Sequence, residues 1–175
     1  MDPRLRFGPQ TNRGETEVTD QKTVLDQIRN AEIKDTYVHT EDLTWIPFPN
    51  VPGIDMKLLR VSSESGVWTA LFRCAAGSGF PRHRHLGAGE YLMVSGRMEV
   101  RGGAEAGGVT AVAGDYGYEP TGMIHDFTNF VEDTVFFFTN HGPVQFIDDD
   151  DNTVGILDWQ AMLAIEAASR ALETV

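Results

Sequence analysis

Between residues 43 and 156 the chain breaks into twelve short β-rich runs, and no run of helical periodicity separates any two of them. The runs are 43–48 (LTWIPF), 56–62, 67–74, 80–85, 90–94, 97–101, 109–112, 116–119, 123–129, 134–139, 143–147 and 153–156. Turn-forming clusters lie between them, among them SGR at 95–97, GGAEAGG at 102–108, AGD at 113–115 and DDDDN at 148–152. Parallel strands need crossovers of about a dozen residues or more, and the gaps here are too short. Many short strands joined by tight turns define an antiparallel all-β sandwich or barrel.

The flanks differ. Residues 1–20 are polar, bear Gly and Pro, and read as an arm. In 21–31 (QKTVLDQIRNA) Val24, Leu25, Ile28 and Ala31 recur at helical spacing, which predicts a short helix. A second helix is predicted over 158–171, with Asp158 as N-cap and Met162, Leu163, Ile165 and Ala168 as its apolar stripe. The expected organisation is an arm and short helix over 1–36, a β-barrel over 37–157 and a C-terminal helix over 158–175.

Charge and cysteine usage narrow the partners. With 14 basic and 26 acidic side chains the formal net charge is −12, which repels phosphate backbones and anionic lipid. Nucleic acid and membrane are therefore set aside, and no apolar run approaches the length of a membrane span. The lone Cys74 can form no internal disulfide and reads as a core residue, and the N-terminal stretch lacks an apolar signal core, so the cytoplasm is expected.

The chemistry concentrates in two segments. In GSGFPRHRHLGAGEYLMVSG (77–96), His83 and His85 stand two apart, so on a strand they share a face. Glu90 and Tyr91 follow after a GAG turn, and GDYGYEPTGMIHDFTN (114–129) contributes His125. Three imidazoles converging inside a barrel make a metal site with open positions, and imidazole suits iron, zinc, copper and nickel alike. An H-x-H pair alone fits surface or core histidines equally well. His39 and His141 are read as non-ligands, DDDDN as a solvated turn, not a calcium loop, and Thr128 and Asn129 as structural. Phe72, Phe80, Phe127, Phe136 and Phe138 are candidates for an apolar pocket wall.

Gly77, His83, His85 and Glu90 match the first motif of the cupin superfamily, G-x5-H-x-H-x4-E-x6-G, with Gly96 one place early. Gly114, Pro120, Gly122, His125 and Asn129 match the second, G-x5-P-x-G-x2-H-x3-N. The chain thus resembles the cupins, which implies a single-domain double-stranded β-helix (jelly-roll barrel) with short terminal helices. Over roughly residues 43–165, the GEY, GRMEVRGG and FIDD stretches resemble the acetylacetone (β-diketone) and 2,4′-dihydroxyacetophenone dioxygenase family.

That resemblance implies Fe(II) held by His83, His85 and His125, although zinc, nickel, manganese or copper can occupy such a site in purified protein. It places Glu90 beside the site and not on the metal, and makes Glu119 and Arg101 polar neighbours with Glu119 oriented towards His125. Tyr91, next to Glu90, either offers the pocket a hydroxyl or packs as a core tyrosine. The implied reaction is cleavage of a C–C bond in a small β-diketone or hydroxyacetophenone-type ketone with O2, by a homodimer or homotetramer. Two other readings compete: a different metal-dependent cupin enzyme, either another dioxygenase or an isomerase, and a non-catalytic cupin that binds a small ligand.

Overall fold

The computed structural model describes residues 37–173, and the helix expected at 21–31 lies outside them. Among the described residues fourteen strands, two short 3-10 turns and one α-helix follow in chain order. The strands are β1 (Ile46–Pro47), β2 (Ile54–Val61), β3 (Trp68–Cys74), β4 (Gly79–Phe80), β5 (His83–His85), β6 (Gly89–Ser95) and β7 (Arg97–Val100). They continue as β8 (Val109–Val112), β9 (Tyr116–Glu119), β10 (Ile124–His125), β11 (Thr128–Phe130), β12 (Thr134–Asn140), β13 (Val144–Ile147) and β14 (Thr153–Leu157), and helix α1 (Trp159–Glu173) ends the fold.

All pairings among these strands are antiparallel. A six-stranded sheet runs β1-β2-β3-β12-β6-β9, and two four-stranded sheets run β10-β5-β13-β14 and β4-β11-β7-β8. The antiparallel all-β class expected from the short-strand pattern is observed, and so is the jelly-roll barrel that the cupin resemblance implies. Two predicted strands are each split in two. The run 80–85 breaks at Pro81, which has no N–H for a ladder, so β4 pairs with β11 while β5 pairs with β10 and β13. The run 123–129 breaks at the exposed corner Asp126–Phe127, and 43–48 shortens to β1.

The core is set by alternation. In β12, Thr134, Phe136, Phe138 and Asn140 point inward, while Phe137 is 36% exposed on the outer face. Phe136 sits opposite Phe72 on β3 and Met93 on β6, and the Phe72 and Phe136 rings stack at 5.2 Å. Burial of each such ring contributes about 2 kcal/mol. Helix α1 starts as predicted, because Asp158 Oδ1 accepts the Ala161 N–H at 2.8 Å. Its packed face differs from the expected stripe. Met162 is fully buried and Ile165 packs on the core, but Leu163 and Ala168 point outward. The DDDDN segment is a hydrogen-bonded turn, as expected. Asp148 Oδ1 accepts the Asp150 and Asn152 N–H groups, and Arg82 ties Asp151 and the Asp148 carbonyl to Asp126.

The β6–β7 connection turns on Gly96, which has a φ of +81°. A Cβ there would lie 2.4 Å from the Asp133 carbonyl oxygen, so both sterics and backbone conformation demand glycine. Gly114, at φ +91°, has nothing within 4 Å of a built Cβ. Gly96→Ala is therefore expected to lower the unfolding free energy by about 2–3 kcal/mol and Gly114→Ala by only about 1 kcal/mol. Urea denaturation of the two variants checks this; equal losses would remove the steric part of the argument.

Candidate metal centre

β5 sits inside its sheet, with β10 on one side and β13 on the other. His83 and His85 are buried while Arg84 between them turns the other way, as strand alternation requires. The register sets His125 of β10 directly opposite His83, and Val144 and Phe146 of β13 opposite His85 and His83. The two histidine segments, forty residues apart, thus meet as neighbouring strands of one sheet.

The three rings form a nearly equilateral triangle, with centroids 5.3 Å (His83–His85), 5.1 Å (His83–His125) and 5.2 Å (His85–His125) apart. One ring nitrogen from each lies within 4.8 Å of the others, and all three side chains are buried. Two nitrogens bound to one ion are separated by at most about 4.2 Å, so small side-chain rotations close the site.

The outer nitrogens are oriented by acceptors. His83 Nδ1 donates to the Pro81 carbonyl at 2.8 Å, and His85 Nδ1 to Asn140 Oδ1 at 3.3 Å. Both rings then present Nε2 lone pairs. His125 Nδ1 faces Glu119 Oε1 at 3.6 Å. Buried His85 Nε2 has no hydrogen-bond partner, although Glu119 Oε2 is only 3.2 Å away, out of line for a hydrogen bond. A lone pair held this close to a carboxylate oxygen repels it unless a cation lies between or beside them. The donor set and this orphaned nitrogen fit a divalent metal.

Burial shifts the titrations accordingly. His83 is pushed down to about 4 by desolvation, with the Pro81 hydrogen bond opposing and the other two histidines reinforcing. Desolvation also lowers His125, against the pull of Glu119. For Glu119, desolvation raises the value, but His85, His125 and His83 outweigh it and hold the carboxyl below its ordinary range. At neutral pH His83 and His125 are therefore neutral imidazoles and Glu119 is ionised.

A cavity of about 60 Å³ adjoins the three imidazoles. Phe72, Phe80, Phe136, Phe138 and Phe146 form much of its wall, and Tyr91, Glu119 and Thr128 are its polar groups besides the histidines. Tyr91 fits because residue 117 is glycine, where a Cβ would stand 2.1 Å from Tyr91 Cζ. Desolvation, with Glu119 and Asp115 adding, pushes the Tyr91 phenol up to about 12, so it stays a hydrogen-bond donor.

Two sequence expectations, those for Glu90 and Phe127, change. Glu90 points to the outer face of β6, 40% exposed, where it accepts from the Tyr116 hydroxyl and approaches His141 Nε2 at 3.3 Å. Its neighbour Tyr91 takes the inward position, and alternation leaves none for Glu90. Arg101, expected as a polar neighbour, is exposed, with Nη1 against Met123 Sδ, and lines a groove together with Tyr91, Glu119 and His125. Phe127 is 48% exposed at the β10–β11 corner and forms no part of the wall. His39 and His141 lie outside the cluster, as expected. Asn140 was missed. The signal was present, since a polar residue in phase with Phe136 and Phe138 sits on the apolar face of a strand.

A jelly-roll barrel with inward histidines on two adjoining strands is a cupin. The chain belongs to the cupin family described as the ChrR Cupin-like domain, which matches residues 33–145. It is 41% identical over 138 residues to the acetylacetone-cleaving enzyme of Acinetobacter johnsonii, covering 77% of this chain and 90% of that protein. The crystal structure of an acetylacetone dioxygenase from Acinetobacter johnsonii superposes with a TM-score of 0.75 at 40% identity, over 79% of this chain and 95% of that one. An RmlC-like cupin from Ralstonia eutropha JMP134 shares the fold at 24% identity and a TM-score of 0.68, over 75% and 84% of the two chains. No helix of the described residues is long and apolar enough to cross a membrane.

Two outcomes are expected. Glu90→Gln should leave metal content unchanged, whereas His85→Ala should lower it severalfold or more, both measured by elemental analysis after dialysis against Fe(II). In metal-free protein, His83 titrates near 4 when folded and near 6.5 when unfolded. The unfolded chain binds the proton first, so stability is full above about pH 6.5 and is lost as pH falls towards about 4, by about 3 kcal/mol. Denaturation at pH 7 and pH 4 should show that His83→Gln lacks this part of the slope.

Proposed function

We propose that this protein is a non-haem Fe(II) dioxygenase that cleaves a C–C bond in a small β-diketone, or a related hydroxyacetophenone-type ketone, with O2. The observation that carries the reading is the buried triangle of His83, His85 and His125 opening on an apolar cavity, in a chain 41% identical to an acetylacetone-cleaving enzyme. His83, His85 and His125 would hold the metal, which when bound supplies two positive charges that neutral imidazoles do not cancel and so favours an enolate over a neutral ketone.

The side chains divide the remaining work. Glu119 is the carboxylate on the cavity wall, ionised and buried, so it is the group placed to take the C–H proton as the diketone enolises. Tyr91, held protonated, offers its hydroxyl to a carbonyl oxygen. The phenylalanine wall excludes water and admits a small ketone in preference to a sugar. The overall change breaks the bond between one carbonyl carbon and its neighbouring carbon and places one atom of O2 on each, giving a carboxylic acid and a second carbonyl product. Arg101, in the outer groove, meets anions on their way in or out.

Exposed apolar side chains on the outer face of the six-stranded sheet, including Leu92, Tyr116, Tyr118 and Phe137, support assembly of copies into a homodimer or homotetramer, which sedimentation of the full chain measures. The single cysteine supports a cytoplasmic setting.

Protein loaded anaerobically with Fe(II) should consume O2 when given acetylacetone or a hydroxyacetophenone, and Glu119→Gln should lose about 10²-fold or more in rate while retaining metal. Absence of uptake with either substrate in fully loaded protein would eliminate the dioxygenase reading.

A further inference from the structure

Asn140 closes β12 on its inward face and is wholly buried. Its strand register sets it opposite Gly89 on β6 and Trp68 on β3, beneath the metal centre. The amide is held at both ends. Nδ2 donates to the Gly142 carbonyl, which also accepts the Trp68 indole N–H at 3.2 Å. Reversing the amide would set two acceptor oxygens against each other, so Oδ1 must face His85. Oδ1 accepts only, and therefore the proton of neutral His85 resides on Nδ1, 3.3 Å away. Nε2 is left with a lone pair, and this is the buried nitrogen without a hydrogen-bond partner.

The contact leaves no slack. A Cβ on Gly89 would stand 3.1 Å from both Asn140 Oδ1 and His85 Cε1, and 2.8 Å from Phe138 Cζ. A side chain at 89 would push the amide and the imidazole apart.

We infer that Asn140 is a positioning residue that sets the tautomer and ring orientation of His85, so that Nε2 is a permanent metal ligand. The inference rests on the three-histidine metal reading. It adds a reason for an amide in place of a carboxylate. His83 is oriented by a backbone carbonyl and His85 by an amide, both neutral. A carboxylate at 140 would orient His85 equally well but add a second negative charge beside Glu119. The amide provides the orientation and keeps the centre cationic enough to bind an anionic substrate.

The test is anaerobic Co(II) titration followed by d–d absorption, with circular dichroism as the check on folding. Asn140→Leu keeps the volume and removes the acceptor; Asn140→Ala removes both; Asn140→Asp keeps the acceptor and removes the donor to Gly142. The Leu and Ala variants should bind Co(II) about 10–100-fold more weakly with an altered d–d band. The Asp variant should bind within a few-fold of the parent with the parent's band. Parent-like affinity and spectrum in a folded Leu or Ala variant would overturn the inference. So would an Asp variant that loses as much as these, since that marks the Gly142 tether as the only role. A parent that takes up no Co(II) would overturn the metal reading itself, and this inference with it.

Discussion

The register of β10 against β5 is the constraint on which the rest depends. With His125 opposite His83, and His85 two residues along the same face, three imidazoles share one point inside the barrel. A slip of one residue would turn His125 outward and bring Ile124 to the inner face in its place. The register is held from both sides. β13 pairs β5 along its whole length, and Arg82 links Asp126, just past β10, to the β13–β14 turn.

Electrostatics follow from that geometry. Burial keeps His83 and His125 neutral, and the acceptors behind His83 and His85 carry no charge. Glu119 is the exception, a carboxylate 3.2 Å from one histidine nitrogen and 3.6 Å from another. Such a group in an apolar pocket is costly unless cationic partners offset it. The arrangement makes sense around a cation, and it leaves a base beside the place where a small ketone must sit. The phenylalanine stack on β3 and β12 both closes the core and walls this cavity, so stability and substrate fit draw on the same side chains.

Much of this was legible in the primary structure, because the signals are local. Turn clusters mark the strand ends, H-x-H places two side chains on one face, and alternation in TVFFFTN separates Phe136 and Phe138 from Phe137. Glu90 and Phe127 were misplaced for a common reason. Nearness in sequence to a motif does not say which face a residue takes. Glu90 follows the inward Gly89 and must turn out; Phe127 lies on a corner between two sheets. Asn140 is fifteen residues beyond His125 and belongs to a strand of the opposite sheet, so no motif containing the histidines reaches it.

By itself the sequence determined the antiparallel all-β class, the identity of the three imidazoles and the apolar character of their surroundings, since strand period and turn chemistry act over a few residues. The tertiary structure alone decided which nitrogen of His85 is free and what holds it so. Those depend on contacts between strands distant in the chain, where tenths of an ångström separate a hydrogen bond from an orphaned lone pair.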